Sequence, residues 1–198
     1  MSARPAGGVW AMGRNTNGQL GLGAADDDAH PTAAQLAALG SGVVQVAAGS
    51  YHSAALTAGG EVYLWGRNNY GQIGRVHRSD TYASWPDPTR VALGTDTVQL
   101  ALGSGHALAL KQGGAVFGWG NGGHYGLGLG DTDNRLSPCQ VTGLGTDNAH
   151  IAAQSTTGMA LKSDGRLFNW GQNDYNNLGD DTTTELSLIH ISEPTRPY

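Results

Sequence analysis

The sequence predicts an all-β chain made of one repeated unit, and three observations lead to this fold class. Trp65, Trp119 and Trp170, with Met12 in the same place of an earlier copy, stand 53, 54 and 51 residues apart. Alternating apolar and aromatic residues precede each of these anchors, which is typical of a strand. Glycines follow at fixed offsets, which indicates tight turns. A period near fifty with about four short strands per unit predicts a β-propeller of four-stranded blades, incomplete, as an open arc of about three and a half blades.

The anchors define the units. The first strand of each unit follows a glycine and carries the anchor near its end, as in EVYLWG from Glu61 and AVFGWG from Ala115. We place the repeat units at about residues 7–59, 60–113, 114–164 and 165–185, which together make one partial propeller domain over residues 1–185.

Each unit continues with a loop and then an apolar segment introduced by Pro31, Pro88 or Pro138. Two more strands joined by a turn follow in VAAGSYHSAALTAGG, LALGSGHALALKQGG and IAAQSTTGMALKSDG. By helix propensity alone, TAAQLAALG from Thr32 would form a short helix. The matching segments RVALG and QVTGLG favour a strand, so we predict a strand there.

The turn after each anchor needs a left-handed residue. The position six residues after the anchor holds Gly18, Gly71, Tyr125 or Asn176. Glycine and asparagine tolerate positive φ, whereas tyrosine does so poorly. We therefore expect the neighbouring Gly126 to shift the turn in the third unit.

These residues resemble a known family. The frame GEVYLWGRNNYGQIG followed by VAAGSYHSAAL resembles the regulator of chromosome condensation repeat, and the resemblance covers about residues 7 to 185. It implies a seven-bladed β-propeller, of which this chain holds three full units and the start of a fourth. It also implies guanine-nucleotide exchange on a small GTPase and chromatin binding for the family's namesake, and enzyme inhibition for a bacterial member. The match covers scaffold positions only, so it assigns no functional loop residue.

The segment LSLIHISEPTRPY, from Leu186 to Tyr198, departs from the repeat. After GDDTTTE the pattern predicts a proline and another apolar strand, and nothing in this segment aligns with the earlier units. It resembles the translated adapter sequence at the ends of fragmentary reading frames. We therefore predict that residues 186–198 are a non-repeat artefact and that the natural protein continues. If the segment is genuine, two half-rings closing as a homodimer is the alternative.

Charge and composition argue against several functional classes. The net charge is −5, and the chain has two lysines, Lys111 and Lys162, and no basic block, which disfavours nucleic-acid binding. No apolar run is long enough to span a membrane, so we expect no membrane contact. Cys139 is the single cysteine, which excludes an internal disulfide and favours the cytosol.

The residues that invite a chemical interpretation fit a structural one better. His52 and His106 occur once per unit, with Thr157 in the third copy, and are therefore too far apart to share a metal. The structural repeat residues are Trp65, Gly66, Trp119, Gly120, Trp170, Gly171, His52 and His106. GWGNGG matches a dinucleotide-binding pattern but no helix follows it, and the acidic clusters near residues 27, 132 and 180 lack calcium-loop spacing. We predict a non-enzymatic chain without metal or cofactor.

One loop breaks the rhythm of the repeat. In the second unit the proline stands 23 positions after the anchor, whereas in the units on either side it stands 19 positions after it. The loop RVHRSDTYASWPD presents residue types that are enriched at protein interfaces, namely Arg75, His77, Arg78, Tyr82 and Trp85. We predict that the chain is a protein–protein interaction module that binds a partner protein through its loops. The alternatives are a guanine-nucleotide exchange factor, with a small GTPase as partner, and a propeller-type enzyme inhibitor.

Overall fold

The computed structural model describes residues 8–75 and 84–191, which form short strands and three one-turn 3-10 segments. The strands are β1 (Trp10–Arg14), β2 (Ala29–Gln35), β3 (Val43–Ala48), β4 (His52–Thr57), β5 (Val62–Arg67), β6 (Ser84–Arg90), β7 (Thr97–Leu102), β8 (His106–Lys111), β9 (Val116–Gly120), β10 (Arg135–Gln140), β11 (Asn148–Gln154), β12 (Thr157–Lys162), β13 (Leu167–Gly171) and β14 (Leu186–Ile191). The 3-10 segments are Ala37–Leu39, Gly123–Tyr125 and Thr142–Leu144. None of the helical turns in this part of the chain has the length or the apolar character to cross a membrane.

The strands form three four-stranded antiparallel sheets, β3 to β6, β7 to β10 and β11 to β14, and one two-stranded sheet, β1 with β2. The first strands of neighbouring sheets pack on one another, β3 on β7 and β7 on β11, so these strands line the inner side of the arc. The apolar core lies between the sheets. The predicted fold class, four-stranded propeller blades in an open arc, is confirmed. The strand expected for TAAQLAALG from Thr32 is correct only as far as Gln35, where β2 ends, because Ala37–Leu39 form a 3-10 turn.

The sequence unit and the blade are out of phase by half a unit. The glycines that open each sequence unit, such as Gly60, lie in the β4–β5 hairpin within one blade. The chain crosses to the next blade between β6 and β7 instead. A blade therefore combines the second half of one sequence unit with the first half of the next.

The first blade of the arc consists of an outer pair of strands. The strand β1 carries its anchor position as β5 and β9 do, and it pairs with β2 as β5 pairs with β6. No strand within the described residues pairs with the other edge of β1. Trp10 and Met12 on this strand are consequently 61% and 66% exposed. Trp119, which corresponds to Met12 in a complete blade, is fully buried.

Each anchor tryptophan joins its blade to the preceding one. The Nε1–H of Trp65 donates to the carbonyl of Gln19 at 2.9 Å, and that of Trp119 donates to Gln72 at 2.9 Å. Trp170 repeats the contact with Gly126 at 3.0 Å. The indoles are buried, so their N–H groups need these partners. The anchor therefore fixes the position of the preceding blade's long loop.

Glycines that recur from unit to unit make room for this contact. Gly74, nine residues after its anchor, has φ +74°, and a Cβ there would lie 3.1 Å from Nε1 of Trp119. Gly120, one residue after its anchor, has φ +97°, and a Cβ there would lie 2.6 Å from the carbonyl oxygen of Gly105. Both positions combine a left-handed backbone with a close approach, which only glycine satisfies without strain.

A glutamine on the inner strands β3 and β7 joins each blade to the following one. The side chain of Gln45 donates to the carbonyl of Leu100 at 2.8 Å and accepts from the Leu100 N–H at 2.9 Å. Gln99 makes the same pair of bonds with Ile151, at 2.9 Å and 3.0 Å. The side-chain amide of the glutamine thus makes the pair of hydrogen bonds that a backbone residue of a paired strand would make, and it does so between two different sheets. At the equivalent position of β11 stands His150, which is exposed.

His52 and His106 are buried at the start of β4 and β8, where neighbouring sheets meet. Gly49 has no side chain, which leaves room for the His52 ring, and Gly103 does the same for His106. Burial lowers the pKa of both imidazoles from 6.5 to about 4, and electrostatic repulsion from His106 adds to the effect at His52. Both histidines are therefore neutral at neutral pH, and their structural role stays a prediction. The two rings interact between neighbouring blades, so they lie closer together than the sequence interpretation assumed.

Residues 186–191 form β14 and pair with β13 in the place of the fourth strand of the third blade. This part of the segment from Leu186 to Tyr198 therefore takes up the repeat's architecture even though its sequence does not align with the repeat. An apolar strand of any origin satisfies the free edge of β13, because the pairing uses backbone groups. The artefact assignment stays a prediction.

We predict that Gln99→Leu destabilises the protein. Leucine fills the space but leaves the N–H and carbonyl of Ile151 without their partners, which should lower the free energy of unfolding by about 2 kcal/mol. Denaturant titration measures the loss. Gln112→Leu, at an exposed turn position, is the matched control and should change stability by no more than about 0.5 kcal/mol. Equal stabilities of the two variants would show that the glutamine contact contributes nothing.

We also predict a loss of stability in mild acid. The folded pKa of His52 and His106, about 4, lies below the unfolded value of 6.5, so the unfolded chain binds protons first as pH falls. The stabilising contribution is complete above pH 6.5 and is lost between pH 6.5 and 4, by at most about 3 kcal/mol for each histidine. Unfolding free energies measured across this range should be less pH-dependent in His106→Gln. The exposed His150→Gln should keep the full slope, and an unchanged slope in His106→Gln would contradict the assignment.

Candidate protein-interaction face

All the long loops lie at one end of the blades. The strands β1, β5, β9 and β13 run towards this end, and the described parts of the loops that follow them cover residues 15–28, 68–75, 121–134 and 172–185. The tight turns between the inner strands reach the same end, at residues 49–51, 103–105 and 155–156. We call this surface the loop face and the other end of the blades the turn face.

A buried asparagine organises the first, second and fourth long loops. The side-chain oxygen of Asn68 accepts from the N–H of Ile73 at 3.0 Å, and the first and last loops repeat this bond. The amide of Asn173 also donates to the carbonyl of Thr182 at 3.0 Å, which ties the two ends of its loop together. The loops are therefore held by internal hydrogen bonds and form a preorganised surface.

The third long loop is held together by a different hydrogen bond. Gly122 replaces the asparagine, and its N–H donates to the side chain of Asn134 at 3.0 Å, from the far end of the loop. The expectation that Gly126 would take over the left-handed turn is wrong, since Tyr125 has φ +58° and Gly126 has φ −59°. The reason is register: the carbonyl of Gly126 must accept the hydrogen bond of Trp170, so the left-handed position stays six residues after the anchor.

The acidic clusters belong to the loop structure. Hydrogen bonds from His30 and then Asn15 hold the pKa of Asp26 below its usual value. The backbone N–H of Asp133 and the guanidinium of Arg135 lower the pKa of Asp131. Among residues 8–75 and 84–191 no three His, Cys, Asp or Glu side chains are grouped as metal ligands would be.

The structure brings only part of the predicted binding loop together. His77, Arg78 and Tyr82 lie outside the described residues. Arg75 is exposed, and its guanidinium lies 5.2 Å from the centroid of the Trp85 ring. Trp85 itself is a strand residue of β6, opposite Gly66, and it packs against the core between the first two complete blades. Its contribution to a partner contact is therefore limited to the part of the side chain that the core leaves accessible.

A second cation and aromatic pair lies nearer the inner side of the loop face. The guanidinium of Arg67 is 5.5 Å from the centroid of the Tyr51 ring, and the Arg67 N–H donates to the Tyr51 carbonyl at 2.8 Å. The Tyr51 side chain is exposed on the β3–β4 turn. The main-chain bond fixes the two residues relative to each other, so the pair is a rigid feature of the surface.

Sequence reasoning missed this pair because it searched for a departure in loop length, and neither residue changes the length of its segment. Tyr51 corresponds to Gly105 and Thr156 in the other inner turns, and Arg67 corresponds to Arg14, Asn121 and Gln172. Both positions therefore vary between units. The signal in the sequence was this variation at two positions, in two segments that the β4–β5 pairing brings side by side.

Comparison with known proteins relates this arc to complete propellers. The chain is 38% identical over 174 residues to the ultraviolet-B receptor UVR8 of Arabidopsis thaliana, covering 86% of this chain and 39% of the relative. It is 35% identical over 193 residues to the human E3 ubiquitin-protein ligase HERC2, covering 94% of this chain and 4% of that protein.

Solved structures show the same fold. The structure of human WBSCR16 superposes with a TM-score of 0.81 at 28% identity, over 96% of this chain and 51% of that one. Yeast RCC1 (Prp20), solved bound to Kap60, superposes with a TM-score of 0.79 at 23% identity, over 95% and 45%. The chain thus spans about half the length of these propellers and less of the curated relatives.

The family models agree with the repeat found in the sequence. A model of the regulator of chromosome condensation (RCC1) repeat matches residues 6–56, 59–110 and 113–161, and a second model of this repeat matches residues 43–72 and 97–126. These matches cover most of the chain, and the anchors, glycines and inner-strand residues that they include are those that join the blades. The chain therefore belongs to the regulator of chromosome condensation (RCC1) repeat family.

Proposed function

We propose that this chain is a non-catalytic interaction module that binds a partner protein through its loop face. The observation that carries the proposal is the Tyr51 and Arg67 pair, an exposed aromatic side chain stacked with a guanidinium on a turn fixed by backbone hydrogen bonds. Tyrosine and arginine dominate binding energy at protein interfaces. A rigid pair also loses little conformational entropy on binding.

The scaffold supports this use of the loop face. The inter-blade contacts of Trp65, Trp119 and Trp170 hold the long loops against the next blade, so the loop face keeps its shape without a ligand. Binding residues on loops held by a rigid frame are a common arrangement in interaction domains. Yeast RCC1 (Prp20), which shares the fold, was solved with the protein Kap60 bound, and this accords with a binding role.

The alternatives from the sequence remain alternatives. Guanine-nucleotide exchange on a small GTPase and inhibition of a capped enzyme both need a loop face, and no residue of this chain discriminates between them. A homodimer also stays a prediction. Two copies would bring together six four-stranded blades and two outer pairs, so the inner strands of both pairs would still have to be supplied.

We predict that Tyr51→Ala combined with Arg67→Ala weakens the affinity for a partner by about tenfold or more. Partners captured on the immobilised chain are identified by mass spectrometry, purified, and titrated by calorimetry. Arg90→Ala removes an arginine from the turn face and serves as the matched control, with affinity expected to stay within about twofold. The proposal fails if the double variant binds every captured partner as tightly as the control does.

An exchange assay separates the leading proposal from its main alternative. A small GTPase loaded with fluorescent GDP is mixed with the chain, and nucleotide release is followed over time. We expect the release rate to stay at its intrinsic value. An acceleration that the Tyr51→Ala and Arg67→Ala changes abolish would replace the scaffold assignment with an exchange factor.

A further inference from the structure

Both lysines of the 198-residue chain are buried at the turn face. Lys111 ends β8 and Lys162 ends β12, and their exposed fractions are 7% and 5%. They occupy equivalent positions in the second and third complete blades. The other basic side chains are arginines and histidines. This burial is unusual, because lysine is almost never fully buried unless it is paired.

The ammonium group of Lys111 uses all of its donors inside the protein. It donates to the carbonyl of Leu93 and to the carboxylate of Asp96. Its third side faces the ring of Phe117, whose centroid is 5.7 Å away. An ammonium has three N–H donors, so the two oxygens and the aromatic face account for each of them.

Lys162 repeats the arrangement in the next blade. Its ammonium donates to the carbonyl of Leu144 and to the carboxylate of Asp147, and it lies 5.3 Å from the centroid of the Phe168 ring. Arg166 covers the pair from outside, 3.4 Å from Asp147. The first complete blade has Thr57 at this position and lacks the amine.

This geometry has a chemical consequence. An amine attacks an activated acyl group through its lone pair, so it must lose a proton and the acyl carbon must reach it. In the folded chain each lysine nitrogen is enclosed by a carbonyl, a carboxylate and a ring. Guanidinium groups stay protonated, so the arginines on the surface offer no substitute nucleophile.

We propose that Lys111 and Lys162 are concealed acyl-acceptor sites, which react only when the turn face of their blade opens. In the reaction the deprotonated Nζ attacks the carbonyl of a thioester or activated ester, an amide bond forms, the thiol or alcohol leaves, and the amine proton passes to solvent. The folded surface offers no ε-amine to such donors. Amide formation on either lysine therefore records a local opening of its blade.

The opening that this requires is confined to the turn face. The carbonyl of Leu144 ends the 3-10 segment Thr142–Leu144, which carries the chain from one blade to the next. The amide of Asn148 donates to the carbonyl of Gly145 at the end of this connection at 3.3 Å, and to the carbonyl of Gly114 in the β8–β9 turn at 2.7 Å. Release of Lys162 thus frees a connecting segment. The inter-blade contacts of Trp170 and Gln99 lie elsewhere in the blade and are retained.

The N-hydroxysuccinimide ester of acetic acid is the probe. The full chain is treated in buffer and in denaturing guanidinium chloride, and acetylation of each amine is followed by peptide mass spectrometry. We expect Lys111 and Lys162 to react at least about 100-fold more slowly in the folded chain, since reaction then requires opening. The α-amino group of Met1 is an internal standard for reagent activity in both conditions.

A matched variant shows whether protection comes from the site or from the surface in general. Arg90→Lys places an exposed lysine on the same face, where the arginine side chain is 51% exposed, and it should react at nearly the unfolded rate. Asp147→Asn should accelerate Lys162 by about tenfold while Lys111 keeps its rate. Circular dichroism confirms that each variant is folded. If Lys111 and Lys162 of the unaltered folded chain react as fast as the lysine of Arg90→Lys, the proposal is wrong.

Discussion

The hydrogen bond from each anchor tryptophan to the loop of the preceding blade is the contact on which the rest of the arc depends. The indole of Trp119 is fully buried, so its N–H must be paired, and the carbonyl of Gln72 is the group within reach. This one bond fixes the distance between two blades and the register of a long loop together. Glycine is required beneath the indole of Trp119 because a Cβ at Gly74 would lie 3.1 Å from its Nε1.

The inner strands add a second polar contact, in which a side-chain amide pairs with a backbone peptide group. Gln45 and Gln99 each pair with a peptide group of the following blade, so a side chain substitutes for a missing strand neighbour. Every interface between complete blades therefore has a tryptophan contact towards the loop face and a glutamine contact on its inner side. A single blade leaves the tryptophan and glutamine side chains without their hydrogen-bond partners. At the start of the arc no strand of the described residues pairs with the other edge of β1, so the apolar side chains of Trp10 and Met12 are exposed.

The residues that recur between units and the residues that differ lie in different parts of the molecule. In the complete blades, the recurring residues make the contacts between blades and within loops and are mostly buried. The residues that differ, such as Tyr51 and Arg67, stand on the surface that this frame holds still. At the turn face the chain does the opposite with its two lysines, which are enclosed by carbonyls, carboxylates and rings.

The sequence by itself determined the blade content and the position of most strands, because these follow from local periodicity. It also determined the left-handed turn position in the units that have glycine or asparagine there, because these residues tolerate positive φ. The tertiary structure alone decided that Tyr125 keeps the left-handed turn, that Trp85 lies in a strand, and that Tyr51 meets Arg67. These outcomes depend on hydrogen bonds between segments far apart in the chain, and no local pattern records which distant carbonyl a buried donor will reach.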